Sequence, residues 1–283
     1  MTDDLKKKVD FAIRLLQSIP QDSGPVEISY SGGKDSDVIL ELAKMAGIPY
    51  RAIYKNTTID PPGTVKHAID NGAEVLRPSM SFFDLIKKNG LPSRFARFCC
   101  SYLKEYKVLD RAVQGIRRSE SVKRAEIYKE PTMCRFYGSK KVHVEVFMPI
   151  LEWTDEDVVE FISERSIKCH PLYYDEQGNF HVERRLGCIG CPLASRKKRR
   201  EQFMQYPKML KLWIKNVQIN LNNNPDTKSW GYCQGNAYNK LFYELFCGSR
   251  KECDNLLSGG MFPETAIDAK AFLEDYFKID LTI

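Results

Sequence analysis

Apolar residues recur at helical spacing at Leu5, Val9, Ile13 and Leu16, and the stretch SIPQDSG that follows stops the helix. A strand is predicted from Val26 to Tyr30. Past Ser31-Gly32-Gly33, the face Val38, Leu42 and Met45 predicts a second helix closed by Gly47 as a C-cap, and YRAIYKN reads as the next strand. The rhythm then repeats: a helix near Thr64 to Asn71 ends at Gly72, AEVLR is a strand, and Ser81 caps a helix running to Gly90. Strand, helix, strand in succession implies a parallel sheet with right-handed crossovers, so the predicted fold class is α/β with a doubly wound, mostly parallel sheet.

Further along, DRAVQGI within Lys107 to Ile116 reads either as a buried strand or as a helix end, with strand preferred. VHVEVFMPI is a strand, and Thr154 with Asp157 forms a capping box for a helix that turns Val158, Phe161 and Ile162 inward. After Pro192 the periodicity becomes helical, broken by the loop NLNNNPDTKSWG near Asn220 to Gly231. The predicted division is an α/β domain over 1–195 and a basic, helical C-terminal region over 196–283. There is no internal repeat and no low-complexity tract.

Composition narrows the class. With 283 residues the chain is long enough to bury a core without disulfides, and 43% hydrophobic with 28% charged residues is ordinary for a globular protein. The N-terminus has no signal-peptide core and no apolar run is long enough to span a bilayer, so a cytoplasmic protein is expected. Nine cysteines in that compartment are read first as metal, cluster or catalytic thiols. A net charge of +6 permits an anionic substrate or a nucleic acid without requiring either.

Three constellations carry chemistry. A strand ending in Ser31-Gly32-Gly33 and feeding a helix puts backbone N–H groups and the positive helix end where an anion can sit. Lys34 adds a point charge, Ser31 and Ser36 add hydroxyls, and Asp35 beside a phosphate makes sense with Mg²⁺ between them. The spacing does not fit the Walker loop. Second, Cys99-Cys100 with Cys188 and Cys191 supply four thiolates, the ligand set of a 4Fe–4S cluster or a Cys₄ zinc site; the adjacent pair favours iron–sulfur. The other cysteines, Cys134, Cys169, Cys233, Cys247 and Cys253, lack metal spacing and read as packing. Third, Arg117, Arg118, Glu120 and Arg124 form either a bidentate anion grip or a surface salt-bridge cluster, with Arg94 and Arg97 as secondary candidates.

These segments together resemble a known family. SGGKDS is similar to the PP-loop of the adenine-nucleotide α-hydrolases. GLPSRFARFCCSYLK followed by C-x-x-C resembles the cluster signature of assimilatory adenylyl-sulfate reductases. G-x-R-x-x-E-S-x-x-R-A and the W-T-x-x-D-V helix before HPLYY are similar to segments of the phosphoadenylyl-sulfate (PAPS) reductase family. The resemblance covers about residues 25 to 195. It implies phosphate binding by Ser31, Gly32, Gly33, Lys34, Asp35, Ser36, Arg117, Arg118, Glu120 and Arg124, with Lys34, Asp35 and Arg117 catalytic. It implies a cluster on Cys99, Cys100, Cys188 and Cys191, and ATP or adenylyl sulfate with Mg²⁺ as ligands. His170 belongs to the packed turn of the HPLYY segment.

The resemblance leaves two activities open. Reductases use a nucleophile in a C-terminal Glu-Cys-Gly-Leu-His segment, and here RKECDNLLSGG matches only Glu252-Cys253. Related PP-loop enzymes instead adenylylate an oxygen with ATP and let a persulfide sulfur displace AMP, as in tRNA thiolation and the ATP-pyrophosphatase components of DNA phosphorothioation. On the first reading Cys253 attacks sulfur and thioredoxin is the partner; on the second, Cys134 or Cys253 carries a persulfide supplied by a cysteine desulfurase. A non-catalytic nucleotide-binding subunit is the third reading. Arg196, Lys197, Lys198, Arg199 and Arg200, with Lys208, Lys211 and Lys215, form a basic strip. It is either a solvated helix or a nucleic-acid surface over 196–215, with Phe203, Tyr206 and Trp213 packing inward or stacking on bases.

Overall fold

A computed structural model describes residues 1–22, 24–137, 142–224 and 236–283. In chain order the elements are α1 (Asp3–Gln17), β1 (Val26–Tyr30), α2 (Lys34–Ala46), β2 (Tyr50–Lys55), α3 (Thr64–Asp70), β3 (Glu74–Leu76), α4 (Phe82–Asn89), α5 (Phe98–Leu103), β4 (Arg111–Val113), α6 (Val122–Ile127), β5 (Thr132–Tyr137), β6 (Val142–Phe147) and α7 (Asp155–Glu164). Five helices follow: α8 (Arg196–Gln205), α9 (Pro207–Asn223), α10 (Ala237–Phe246), α11 (Arg250–Ser258) and α12 (Ala269–Phe277). Helix α9 continues through Asn223; the rest of the expected Asn220 to Gly231 loop, with Cys233, lies outside the described residues.

The chain divides into two units, 1–78 with 100–187, and 79–99 with 188–283. The first holds a sheet in the order β3-β2-β1-β4-β6-β5, parallel except for the antiparallel pair β5 and β6. The fold is therefore a doubly wound, mostly parallel α/β sheet. Strand β1 is apolar on both faces because helices cover both, and Ile28 sits in register with Ala52 of β2 and Val113 of β4. Helix α1 buries Leu5, Val9, Ala12 and Leu16 on one stripe and is capped by Thr2, whose hydroxyl accepts from the Leu5 amide. Each large aliphatic on that stripe contributes roughly 1.5–3 kcal/mol by leaving water. The capping boxes at Ser81 and Thr154 form as their sequences require. Strand β5, which the periodicity does not announce, alternates exposed and inward residues as an antiparallel edge strand.

The second unit is helical. Residues 79–99, which the predicted division placed in the first domain, belong with it because α4 packs on α9: Phe82 lies 4.9 Å from Trp213, ring centre to ring centre. Asn220 Nδ2 also donates to the Lys87 carbonyl at 2.9 Å.

Candidate functional site

The chain runs outward from β1 through β2 to β3 and returns to β4 on the other side of β1, so β1 and β4 flank the topological switch point. Open α/β sheets form ligand crevices there, outside the carboxyl ends of the strands. The loop after β1 is Ser31-Gly32-Gly33, and the loop after β4 is Gln114 to Arg117. They meet closely: a Cβ on Gly115 would lie 2.8 Å from the Asp35 carbonyl oxygen, so only glycine permits the approach.

An ionic latch joins the two loops. Arg117, 1% exposed, donates from Nε to Asp35 Oδ1 at 2.8 Å and from Nη2 to Asp155 Oδ1 at 2.7 Å. Lys34 Nζ donates to the other oxygen, Asp35 Oδ2, at 2.9 Å. The charge that the sequence assigns to Mg²⁺ at Asp35 is thus balanced by two cations of the chain itself. Gly33 caps α2 without any side-chain hydrogen bond, and Gly32 takes a left-handed φ of 76°. The hydroxyls hold the loop: Ser36 Oγ donates to the Gly33 carbonyl at 2.7 Å, and Ser31 Oγ lies 3.3 Å from Ser36 Oγ.

Behind this loop sits a buried polar network. Asp37, in the first turn of α2, accepts from Tyr30 and faces His67 Nε2 at 3.0 Å. Burial pushes the Asp37 carboxyl up, opposed by His67, Tyr30 and Cys169. Burial likewise raises Tyr30 and Cys169, and takes Tyr173, which borders Gly33, to about 12. His170 caps a 3-10 turn by accepting from the Leu172 amide at 3.1 Å, and its pKa is lowered by burial and then by His67.

The remaining arginines divide by partner. Arg118 braces the backbone, donating to the Tyr128 and Lys129 carbonyls and pairing with Glu152. Glu120 pairs with Arg124 and, at 3.4 Å, with Arg185. Arg124 is lowered first by burial and then by the charge of Arg185, with Arg117 also contributing, which describes crowded positive charge. Arg185 was missed by the sequence reading although it stands in RRLGCIGC; Gly115, Asp155 and the Asp37–His67 pair were missed as well. Only Gly115 had a local signal, as a glycine directly after a strand.

In the second unit the C-x-x-C loop is a tight turn, with the Cys191 amide donating to the Cys188 carbonyl at 3.3 Å. It is fixed onto α8 and α9: the Gly190 amide donates to Gln202 Oε1 at 3.0 Å, and a Cβ on Gly190 would lie 2.5 Å from Phe203 Cζ and 2.9 Å from Trp213 Cζ2. Arg94 Nε donates to the Pro192 carbonyl at 3.3 Å, and Arg97 is exposed. Cys99 and Cys100 lie on α5 rather than in a loop, and they, Cys188 and Cys191 are all half-buried. Among the described residues no three His, Cys, Asp or Glu side chains are grouped to hold a metal ion. The donor set nevertheless suits an iron–sulfur group: four half-buried thiols, a glycine-pinned turn, and two buried donors beside it, Arg199 Nε and Trp213 Nε1, that have no acceptor.

Two expectations are corrected. Cys253 is 0% exposed inside α11, packed with Phe242, Cys247 and Ala269, which is the setting of a core thiol and not of a mobile nucleophile. In the basic strip, Phe203 and Trp213 are wholly buried and cannot stack on bases; Arg199 is buried and Arg200 donates to the Leu245 carbonyl at 2.6 Å. Arg196, Lys197, Lys198, Lys208 and Lys215 remain exposed. Cys134 is exposed on β5. No helix among the described residues is long and apolar enough to cross a membrane.

A family model described as the phosphoadenosine phosphosulfate reductase domain matches residues 25–194. An uncharacterized protein of Methanocaldococcus jannaschii is 26% identical over 224 residues, 74% of this chain and 51% of that protein. The chain spans about half the length of the curated relatives it matches. Among solved structures, the phosphoadenylyl-sulfate (PAPS) reductase from Candida auris in a phosphate complex is similar at 16% identity and a TM-score of 0.41, over 64% of this chain and 97% of that one. The U34-tRNA thiolase NcsA from Methanococcus maripaludis with its 4Fe–4S cluster is similar at 14% identity and a TM-score of 0.40, over 80% of this chain and 82% of that one. Scores at this level carry no argument about chemistry.

Proposed function

Because the chain belongs to the phosphoadenosine phosphosulfate reductase domain family, we propose that its first unit binds an adenine nucleotide by the phosphates and activates the α-phosphate for sulfur transfer. The observation that carries the proposal is the Lys34–Asp35–Arg117 latch at the switch point, closed over a loop that caps α2 with no side chain.

In this reading the helix end and the amides of Gly32 to Ser36 receive the pyrophosphate, with Mg²⁺ carried on the nucleotide. Asp35 holds Lys34 and Arg117 in place before the ligand arrives, so positive charge meets the charge that develops at the α-phosphate without reorganisation. Arg124 and Arg185, steered by Glu120, extend that field. An acceptor oxygen attacks the α-phosphorus and loses its proton, the bond to pyrophosphate breaks, and a sulfur nucleophile then displaces AMP from the adenylylated acceptor. Exposed Cys134 is the candidate persulfide carrier. Cys99, Cys100, Cys188 and Cys191 are the proposed 4Fe–4S ligands on the strength of their spacing; when bound, such a cluster supplies a Lewis-acidic iron able to hold sulfur. The exposed cations of α8 and α9 favour an anionic acceptor such as a nucleic-acid phosphate.

The family description itself favours a second reading, reduction of adenylyl sulfate or its 3′-phosphorylated form to sulfite. That reaction needs an attacking thiol, and Cys253 is too buried to supply it. Anaerobic incubation with ATP and with each adenylyl sulfate, assaying pyrophosphate and sulfite in parallel, separates the readings. Pyrophosphate with AMP from ATP is the expected result. Sulfite would instead establish the reductase, and tight nucleotide binding with neither product would leave a non-catalytic subunit.

A further inference from the structure

The C-x-x-C loop of the second unit is bordered by two polar hydrogens that the protein leaves unsatisfied. Trp213 is 0% exposed and its indole Nε1 has no acceptor among the described residues. Its Cε2–Cζ2 edge, the edge that carries Nε1, faces Gly190, with Cζ2 at 2.9 Å and Cε2 at 3.1 Å from where a Cβ on that glycine would stand. Arg199 is 4% exposed; its Nη1 is taken by the Glu244 carboxylate and carbonyl, both at 3.1 Å, while Nε is buried without an acceptor. The Cys191 thiol is among the groups whose charge acts on this guanidinium.

Buried donors are almost always paired, and leaving one unmet carries its full desolvation cost. Two such donors converging on one turn call for a common acceptor. The turn has no spare carbonyl there that they use; what it carries is sulfur, and thiolate or cluster sulfide is anionic and accepts N–H hydrogen bonds. We propose that Trp213 Nε1 and Arg199 Nε are hydrogen-bond donors to the sulfur atoms of an iron–sulfur cluster held by Cys188 and Cys191, where they anchor the cluster and raise its reduction potential. These are positioning residues: they touch neither nucleotide nor acceptor. Donors aimed at sulfur stabilise the more negative, reduced cluster, so removing one moves the potential down. The inference rests on the cluster assignment made above and goes beyond it by naming what tunes the group.

The test uses the full chain, loaded with iron and sulfide under anaerobic conditions, and reads three quantities: iron per chain, the midpoint potential of the cluster, and the melting temperature with and without it. Trp213→Phe removes the donor and keeps an aromatic ring. Arg199→Gln removes the other donor together with its charge, and Phe203→Leu loosens the same packing with no donor lost. Trp213→Phe and Arg199→Gln should each shift the potential to more negative values, and each should shrink the gain in melting temperature on loading. Phe203→Leu should lower the melting temperature of both forms by similar amounts and leave the potential in place. Should one variant fail to fold, the other still decides. A loaded wild type whose potential is unchanged in Trp213→Phe and Arg199→Gln, or moves equally in Phe203→Leu, overturns the inference alone. A wild type that takes up no iron removes the cluster assignment and the inference together.

Discussion

The loop after β1 and the C-x-x-C loop are both short glycine-bearing turns that lead toward a helix, yet they are finished differently. Around the first, every charge has a partner in the chain: Asp35 lies between Lys34 and Arg117, and Asp37 lies between Tyr30 and His67. Around the second, Arg199 Nε and Trp213 Nε1 are buried with no acceptor. A site satisfied by its own side chains is preorganised and holds its shape without ligand. One with donors left over draws part of its stability from whatever binds there, by mass action on the folded state. The difference separates a catalytic pocket for a transient nucleotide from a socket for a resident group.

The comparison breaks most visibly at Arg117. Arg117→Ala strips the cation from Asp35 and Asp155, and is expected to cost about 3–5 kcal/mol of stability, as breaking a buried pair does. Nucleotide turnover should fall on the order of 10²-fold as the loop loses its alignment. Denaturant titration beside the pyrophosphate assay measures both; a loss no greater than that of Arg118→Ala, whose partners lie on the α6 segment and at Glu152, would contradict the latch.

The two glycines sharpen the contrast. Gly190→Ala drives a methyl into Phe203 and Trp213 at a φ of 76°, and should cost about 1–3 kcal/mol and lower iron uptake. Gly115→Ala presses on the Asp35 carbonyl and should weaken nucleotide affinity with iron uptake unchanged. Thermal melts with iron and nucleotide titrations read the pair; identical effects of the two variants on both ligands would erase the distinction drawn here.

Protonation gives a smaller effect. His170 is held below its ordinary value of 6.5 by burial and by His67. As pH falls below 6.5 the unfolded chain takes up the proton before the folded one does, so stability contributed at neutral pH is lost, with a slope of at most ~1.4 kcal/mol per pH unit. Melting curves from pH 7 to pH 5.5 should show a steeper decline for the wild type than for His170→Gln; parallel curves would show that the histidine titrates alike in both states. Smallest of all, Cys253→Ser is expected to cost about 1 kcal/mol as a buried thiol becomes a hydroxyl, and to leave turnover unchanged. Lost sulfite formation in that variant would return Cys253 to the chemistry.

Most of the sheet was legible because its signals are local. The strand Val26–Tyr30, the glycine C-cap at Gly47 and the boxes at Ser81 and Thr154 depend on neighbours within a few residues. Strand β5 was not legible: its exposed Thr132, Cys134 and Phe136 carry no apolar stripe, and its place at the edge is fixed by pairing with β6. Phe203 and Trp213 were ambiguous for a definite reason, since helical spacing of aromatics on a basic segment suits a core and a base-stacking face equally. Burial decides, and burial is tertiary. The loop residues 31–36 and Arg117 could be named from sequence, but that Asp35 is neutralised from within, and that Gly115 lets the two loops touch, follows only from the order of strands at the switch point.

The most direct measurement is calorimetric titration of the full chain with ATP and Mg²⁺, wild type beside Lys34→Ala, each checked for an intact fold by circular dichroism. The account predicts saturable binding by the wild type and a loss of at least about tenfold in the variant, the order expected when one charge-assisted hydrogen bond to phosphate is removed. Absence of binding, or equal affinity in the two proteins, would mean that the loop after β1 is not where the nucleotide phosphates go.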